Sequence, residues 1–221
     1  MGKSIAIDGP AGAGKSTIAK MVAKDLGYIY VDTGAMYRAM ALYLIRQGID
    51  RDDTAGIEKA CEDADISIEY ENGQQVVLLM GENVNAYLRT EEVGNMASAS
   101  SANAKVREKL VDLQKKLASS KDVVMDGRDI GTVVLPDSRC KIYLTASSAV
   151  RAKRRYDELT EKGITSDIKQ IEADIIERDN RDMSRENSPL KQAEDAVLID
   201  SSDMTIDEVK NAILAKAKER L

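Results

Sequence analysis

The sequence predicts an α/β protein whose five-stranded parallel sheet is covered on both sides by helices. Three observations predict it. Five short apolar runs recur at Ser4–Asp8, Tyr28–Val31, Val123–Asp126, Lys141–Thr145 and Ala196–Ile199, and the continuous rather than alternating apolar pattern suits strands buried on both faces. Helical patterns separate most of these runs, the order expected of a parallel sheet. The first run ends in a glycine-rich loop that opens directly into a helix, which is the setting of a phosphate-binding loop.

The elements follow in order. After the strand at residues 4–8, Ile18, Val22 and Leu26 recur at helical spacing from Lys15 until Gly27. A second strand ends at Asp32-Thr33-Gly34, and a helix from about Ala35 to Gln47 stops at Gly48. Met36, Met40 and Leu44 on it read as core residues. Ile66–Tyr70 and Val76–Met80 flank a polar turn and predict an antiparallel hairpin. A polar, small-residue segment, Gly94–Ala104, leads into a charged helix ending near Ser119-Ser120. This middle stretch has the texture of an insert. Beyond it come two more strands, helices over about Ala149–Lys162 and Asp167–Met183, the fifth apolar run, and a last helix. Thr205-Ile206-Asp207-Glu208 is a capping-box pattern for that helix, with Ile206, Val209 and Ile213 on one face.

Composition narrows the function. The chain has 221 residues, 43% apolar and 32% charged, as expected of a soluble globular protein with a substantial core. No apolar run approaches the roughly 20 residues that span a bilayer, and MGKSIAIDG lacks the apolar core of a secretory signal. The net charge of −6 and the lack of Trp and Phe argue against a nucleic-acid polymer as partner. Histidine is absent, which removes His general bases and His-ligated metals. Cys61 and Cys140 match no metal or redox spacing and read as incidental thiols of a cytoplasmic protein.

Gly9-Pro10-Ala11-Gly12-Ala13-Gly14-Lys15-Ser16 fits G-x-x-x-x-G-K-S without a gap. Its glycines let backbone N–H groups converge on an anion, and the helix beginning at Lys15 adds its positive end. Lys15 is placed to reach the β- and γ-phosphates of ATP, Ser16 to ligate Mg²⁺, and Thr17 to donate to the α-phosphate. No guanine-reading Asn-Lys-x-Asp element occurs. The acceptor must therefore be identified elsewhere in the chain.

Eight of the fourteen arginines lie between residues 128 and 185, and their spacing puts them on shared helical faces. Arg151, Arg154 and Arg155 fall at i, i+3 and i+4; Arg178, Arg181 and Arg185 form a similar set around Asp182. Like charges so spaced disfavour a bare helix. Beside a phosphate loop they have a purpose, because two nucleotides bring together about six negative charges. Lys15, Arg128, Arg154, Arg155 and Arg181 are the candidates for neutralising the transferring phosphoryl group. Asp126-Gly127-Arg128-Asp129 follows a buried strand, so Arg128 emerges at the sheet edge where ligands bind. Asp126 either supports the water shell of Mg²⁺ or caps the next turn.

GPAGAGKST, DTGAMYR, LRTEEV, VMDGRDIGTVVLPD and ERDNRDMSR together resemble the bacterial cytidylate kinase family, over essentially the whole chain. The resemblance implies a P-loop nucleoside monophosphate kinase fold. Its core would be 1–34, 121–150 and 167–221, its monophosphate-binding insert, carrying a small antiparallel sheet, about 35–120, and its mobile lid about 151–166. It implies transfer from ATP to CMP or dCMP by a cytoplasmic monomer. It also implies that Arg38 and Arg128 hold the CMP phosphate and that Ser98, Arg107 and Asp129 read cytosine. Thr33, Arg178, Asp182 and Arg185 would surround the sugar. A carboxylate such as Asp129 accepts from the 4-amino group of cytosine, whereas uracil O4 would face it unpaired. Tyr37 stands open between stacking on the base and packing in the core. Rival readings are a UMP, AMP or shikimate kinase, and a nucleotide-binding switch without turnover.

Overall fold

The computed structural model describes residues 2–221. In chain order the elements are β1 (Ser4–Asp8), α1 (Lys15–Leu26), β2 (Ile29–Asp32), α2 (Thr33–Arg46), α3 (Thr54–Asp63), β3 (Ile66–Glu71), β4 (Gln74–Leu79) and β5 (Glu82–Asn83). There follow α4 (Glu91–Ser100), α5 (Ala104–Ser120), β6 (Val123–Gly127), a single π-helical turn at Ile130–Val134, β7 (Cys140–Thr145), α6 (Ser148–Glu161), α7 (Ile168–Ser184), β8 (Val197–Asp200) and α8 (Ile206–Arg220). Two sheets result: a five-stranded one in the order β2-β6-β1-β7-β8 and a three-stranded one in the order β3-β4-β5. The chain divides into a unit built on Ile29–Lys121 and a unit built on Lys3–Tyr28 with Asp122–Leu221.

In the second unit the parallel register sets the function. β1 runs beside β6 with Ser4 opposite Val123 and Asp8 opposite Gly127. On its other side Asp8 is level with Tyr143 of β7, and Thr145 of β7 is level with Asp200 of β8. The carboxyl ends of β1, β6, β7 and β8 therefore share one edge. Every segment that leaves that edge, at residues 9–14, 128–131, 146–147 and 201–204, starts from a neighbouring position. Ile5, Ile7, Val124, Met125, Ile142 and Leu144 are almost fully buried, as strands covered on both faces require. Ile18, Val22, Val209 and Ile213 supply covering helix faces.

The helix ends are specified locally. The capping box of α8 forms in full: Thr205 Oγ1 accepts from Glu208 N at 3.3 Å and Thr205 N donates to Glu208 Oε2 at 2.8 Å. One expectation for α8 fails. Val209 and Ile213 are buried, but Ile206 is 56% exposed. It is the first helical residue, one turn before the buried face is established, and it borders a cavity instead.

In the first unit, the polar turn between β3 and β4 tightens to Asn72-Gly73. Both residues have positive φ, 51° and 76°, as a two-residue hairpin turn with the twist of its strands demands. The side chain of Gln75 on β4 grips the end of β2, accepting from Asp32 N at 2.9 Å and donating to Asp32 O at 3.1 Å. Asp32 in turn caps α2 by accepting from Ala35 N at 2.9 Å, and Arg89 pairs with it. The β2–α2 junction, and with it Thr33, is thereby fixed. Met36, Met40 and Leu44 are fully buried on α2, as their spacing predicts.

The polar segment around residues 94–104 differs from expectation, because residues 91–100 form α4. Thr90 caps it by accepting from Val93 N, and Glu91 and Glu92 stand at its positive end. Val93, Met96 and Ala97 give it one buried face. Small residues hid this helix, since Gly94, Ser98 and Ser100 obscure the apolar spacing.

Gly9 is the tightest point of the fold. Its φ is +146°, and a Cβ there would run into the Leu144 carbonyl of β7. Gly9→Ala is expected to destabilise the protein by at least about 1–3 kcal/mol, the range for overpacking a close contact, read from urea denaturation midpoints. A variant as stable as the parent would show that β1 and β7 can separate there freely.

Candidate active site

The loop after β1 is shaped to receive an anion. Gly12 and Gly14 take φ values of +77° and +85°, which turn the backbone before α1 begins. Gly14 is the residue that caps α1, and having no side chain it makes no cap hydrogen bond to the first turn. The amides of Lys15, Ser16 and Thr17 are thus left to the loop interior, with the helix dipole behind them. The Lys15 side chain is 5% exposed and folds back, Nζ donating to Pro10 O at 2.7 Å. Burial, and next the charge of Arg128, pull its pKa down to about 7; Asp126, Asp8 and Asp182 act the other way.

Ser16 Oγ donates to Asp126 Oδ2 at 2.8 Å. Asp126 thus stands beside the phosphate loop through the Ser16 hydroxyl. The pair offers a hydroxyl and a carboxylate beside the anion cradle, a hard-oxygen donor set that fits Mg²⁺. A groove of about 330 Å³ continues from the loop. Ile18, Met204, Ile206 and Val209 give it an apolar wall, and Thr17 and Arg154 border it. Arg154 is held at that border by Nη2 donating to Ser201 O at 2.8 Å.

A second cationic group surrounds Asp182 on α7. Arg128 Nε donates to Asp182 Oδ2 at 2.9 Å, and Arg185 Nη2 lies 3.9 Å from Asp182 Oδ1. Burial alone would raise the Asp182 carboxyl, but Arg128, Arg185 and Arg178 together hold it below its ordinary value. Arg178 is pulled down by burial and then by Arg128, with Asp182 acting the other way. Lys15, Arg128, Arg178, Asp182 and Arg185 thus form one electrostatic neighbourhood.

Sequence reasoning missed Asp8. Its two carboxylate oxygens accept from Ile130 N at 2.8 Å and Gly131 N at 2.7 Å. The residue at the end of β1 therefore ties the root of the phosphate loop to the segment carrying Arg128 and Asp129. Burial pushes its carboxyl up to about 6 despite those two bonds. The signal in the sequence was an acidic residue closing an apolar strand. Asp129, 4% exposed, opens the π-helical turn, and its carbonyl accepts from Val133 N at 2.9 Å.

In the other unit, Arg107 is 5% exposed and lies 5.4 Å from the centre of the Tyr37 ring, a cation–π contact. Arg107 Nη1 also donates to Ser101 O at 3.0 Å. Tyr37 is half-buried on α2, so it is neither a core residue nor a free one. Thr33 is buried at the start of α2, Arg38 follows Tyr37 and Ser98 lies on α4, both half-buried.

The remaining candidate arginines are not gathered at the loop. Arg155 bonds Glu158 at 2.8 Å and Arg181 bonds Glu177 at 2.8 Å, each with about half its side chain exposed. Arg151, at the start of the expected lid, is buried, as is Ala152. The base of α6 is therefore part of the packed unit.

A glycine-rich anion cradle at the carboxyl edge of a parallel sheet, with buried cations around it, defines a P-loop nucleotide-binding protein. A solved structure of an uncharacterized protein from Eubacterium ventriosum ATCC 27560 shares the fold, with a TM-score of 0.56 at 13% identity and 99% of each chain covered. The family model for cytidylate kinase matches residues 5–219. The chain is 47% identical to the cytidylate kinase of Geobacter sp. (strain M21), covering 100% of this chain and 94% of that protein. It is 52% identical to the cytidylate kinase of Caldicellulosiruptor saccharolyticus, covering 96% and 93%. The chain belongs to the cytidylate kinase family. Among the described residues, no helix is long and apolar enough to cross a membrane.

The position of Lys15 predicts a proton linkage. At pH 8 a group with a pKa of about 7 is largely neutral, and a polyphosphate beside it raises that pKa. ATP binding at pH 8, without acceptor, should therefore take up about one proton. Calorimetry in buffers of different ionisation enthalpy measures this directly. Binding with no proton uptake would place Lys15 in its charged form before the ligand arrives.

Proposed function

We propose that the chain transfers the γ-phosphoryl group of ATP to the phosphate of CMP or dCMP, giving ADP and CDP or dCDP. The observation that carries this reading is the placing of buried Lys15 and partly buried Arg128 at one sheet edge, in a member of the cytidylate kinase family. The phosphate loop holds the donor. Lys15 lies against the β- and γ-phosphates, and the apolar groove beyond Thr17 takes the adenine. Ser16 and Asp126 would hold Mg²⁺, which would offset the negative charge of the phosphates.

On the acceptor side, Arg38 and Arg128 grip the CMP phosphate, and Thr33, Arg178, Asp182 and Arg185 surround the sugar. Ser98, Arg107 and Asp129 read cytosine, and the Tyr37 ring backs Arg107. The acceptor phosphate is already mostly a dianion near pH 7, with a second pKa of about 6. No general base is required, which suits a chain without histidine. Catalysis is positioning and charge neutralisation: two anions are held in line while Lys15 and Arg128 offset the charge of the migrating group. Arg154, Arg155 and Arg181 add to this when the lid closes. Gly163, with φ +72°, provides a hinge between α6 and α7, and closure excludes water that would otherwise take the phosphoryl group. The enzyme acts as a cytoplasmic monomer.

Two comparisons test the assignments. Lys15→Ala should fold and lose about 10³-fold or more in kcat, the scale of removing one cation from the transferring group. Near-normal turnover by a folded variant would refute the donor-site assignment. Arg128→Ala should impair CMP and UMP alike. Asp129→Ala should cost CMP far more than UMP, narrowing the ratio of their kcat/KM values. Equal losses on both acceptors would instead make Asp129 a support for the loop that carries Arg128.

A further inference from the structure

Arg151 and Asp179 form a buried pair that none of the roles above uses. Each hydrogen-bonding direction of the Arg151 guanidinium meets a different element. Nε donates to Ala146 O at 2.9 Å, just past the end of β7. Nη1 donates to Ala11 O at 3.0 Å, inside the phosphate loop. Nη2 lies 2.7 Å from Asp179 Oδ2 on α7. The stem of the side chain passes close under the loop, so that a Cβ at Gly12 would come 3.4 Å from Arg151 Cβ. A planar, rigid fork with all its directions engaged transmits a shift of one partner to the others.

Asp179 stands within the acceptor cluster of α7. Arg178 precedes it, and Asp182, which holds Arg128, lies one turn on along the same face. Two adjacent groups here are incompletely satisfied. Among the described residues, Arg178 Nε and Asp179 Oδ1 are buried without a hydrogen-bond partner. Folded proteins rarely leave such atoms unmet. Two in a row mark a turn of helix whose arrangement changes when a ligand supplies what is missing. If stability alone were at stake, a packed apolar pair would serve as well as a buried ion pair.

We propose that the Arg151–Asp179 pair couples the acceptor cluster to the phosphate loop, so that each nucleotide tightens the binding of the other. The proposal rests on the reading that this cluster receives the CMP phosphate. An anion at Arg128 and Arg178 satisfies the Arg178 guanidinium and resets residues 178–182. Asp179 moves with them, and Arg151 carries the change to the Ala11 carbonyl and the amides around it. The coupling is reciprocal by thermodynamic necessity: donor tightens acceptor by the factor with which acceptor tightens donor. Arg151 and Asp179 are positioning residues, since both act through other groups.

The experiment is calorimetric titration of CMP into the full chain with Mg²⁺, with and without saturating β,γ-methylene-ATP. The parent protein should bind CMP at least about 5-fold more tightly with the analogue present. Asp179→Asn preserves shape and removes the charge. Arg151→Lys keeps a cation but cannot bond Ala146, Ala11 and Asp179 together, and it stands in if Asp179→Asn does not fold. In either folded variant the 5-fold effect should fall to about 2-fold or less, while the affinity for CMP alone changes by less than about 3-fold. A purely structural pair would lower the melting temperature and leave the ratio of affinities intact; a folded variant with the parent's ratio therefore overturns the proposal, as does a parent without any coupling. A parent protein that binds the analogue but not CMP would refute the acceptor assignment beneath it, a distinguishable result.

Discussion

Lys15 is a buried cation whose charge is disfavoured by burial and by the neighbouring Arg128. The architecture around the sheet edge offsets that repulsion and holds the two cations together. Three carboxylates do so from different elements. Asp8 ends β1, Asp126 lies in β6, and Asp182 comes from α7. The compensation is partial, because burial still draws Lys15 down to a pKa of about 7. In the proposed function, nucleotide phosphates add the negative charge that completes this compensation. On that proposal, binding energy and charge stabilisation come from the same preplaced groups.

The sheet register makes this placement possible. Parallel strands whose ends are level deliver the phosphate loop, the 128–131 segment and the start of α6 to one edge. Asp8 then fixes two of these against each other by accepting both Ile130 N and Gly131 N. Arg151 fixes the loop against α7. The rigid parts of the site thus depend on backbone hydrogen bonds to buried charged side chains. The arginines on exposed helix faces, Arg155 and Arg181, pair with glutamates a turn away. Such exposed pairs contribute little and are exchanged easily, which suits residues that act when a lid closes.

Much of this was legible in the residues. Buried parallel strands announce themselves as continuous apolar runs, and the phosphate loop carries its own fixed spacing, so β1, α1 and β6 to β8 fell close to their expected bounds. Helices rich in small residues were not legible: α4 hides its face behind Gly94 and serines, and only its cap at Thr90 marks it. Ile206 misled because spacing identifies a face but not where burial begins. Within the site, the residues of the GKS loop and the arginine cluster could be named from type and spacing. Asp8 and Arg151 could not, because their roles are set by partners more than a hundred residues away: Ile130 and Gly131 for one, Ala11 for the other. Long-range hydrogen bonds to backbone carbonyls and amides leave no trace in spacing.

Central to the proposed function is a preformed cationic edge that selects two nucleotides and moves a phosphoryl group from ATP to a cytosine monophosphate. Steady-state kcat/KM values for CMP, dCMP, UMP, AMP and shikimate, measured side by side with ATP as donor, test this most directly. CMP and dCMP should exceed the others by at least about 10²-fold, as expected when a buried carboxylate rejects a base that cannot donate to it. Comparable turnover of UMP or AMP, or ATP consumption without any preferred acceptor, would contradict it.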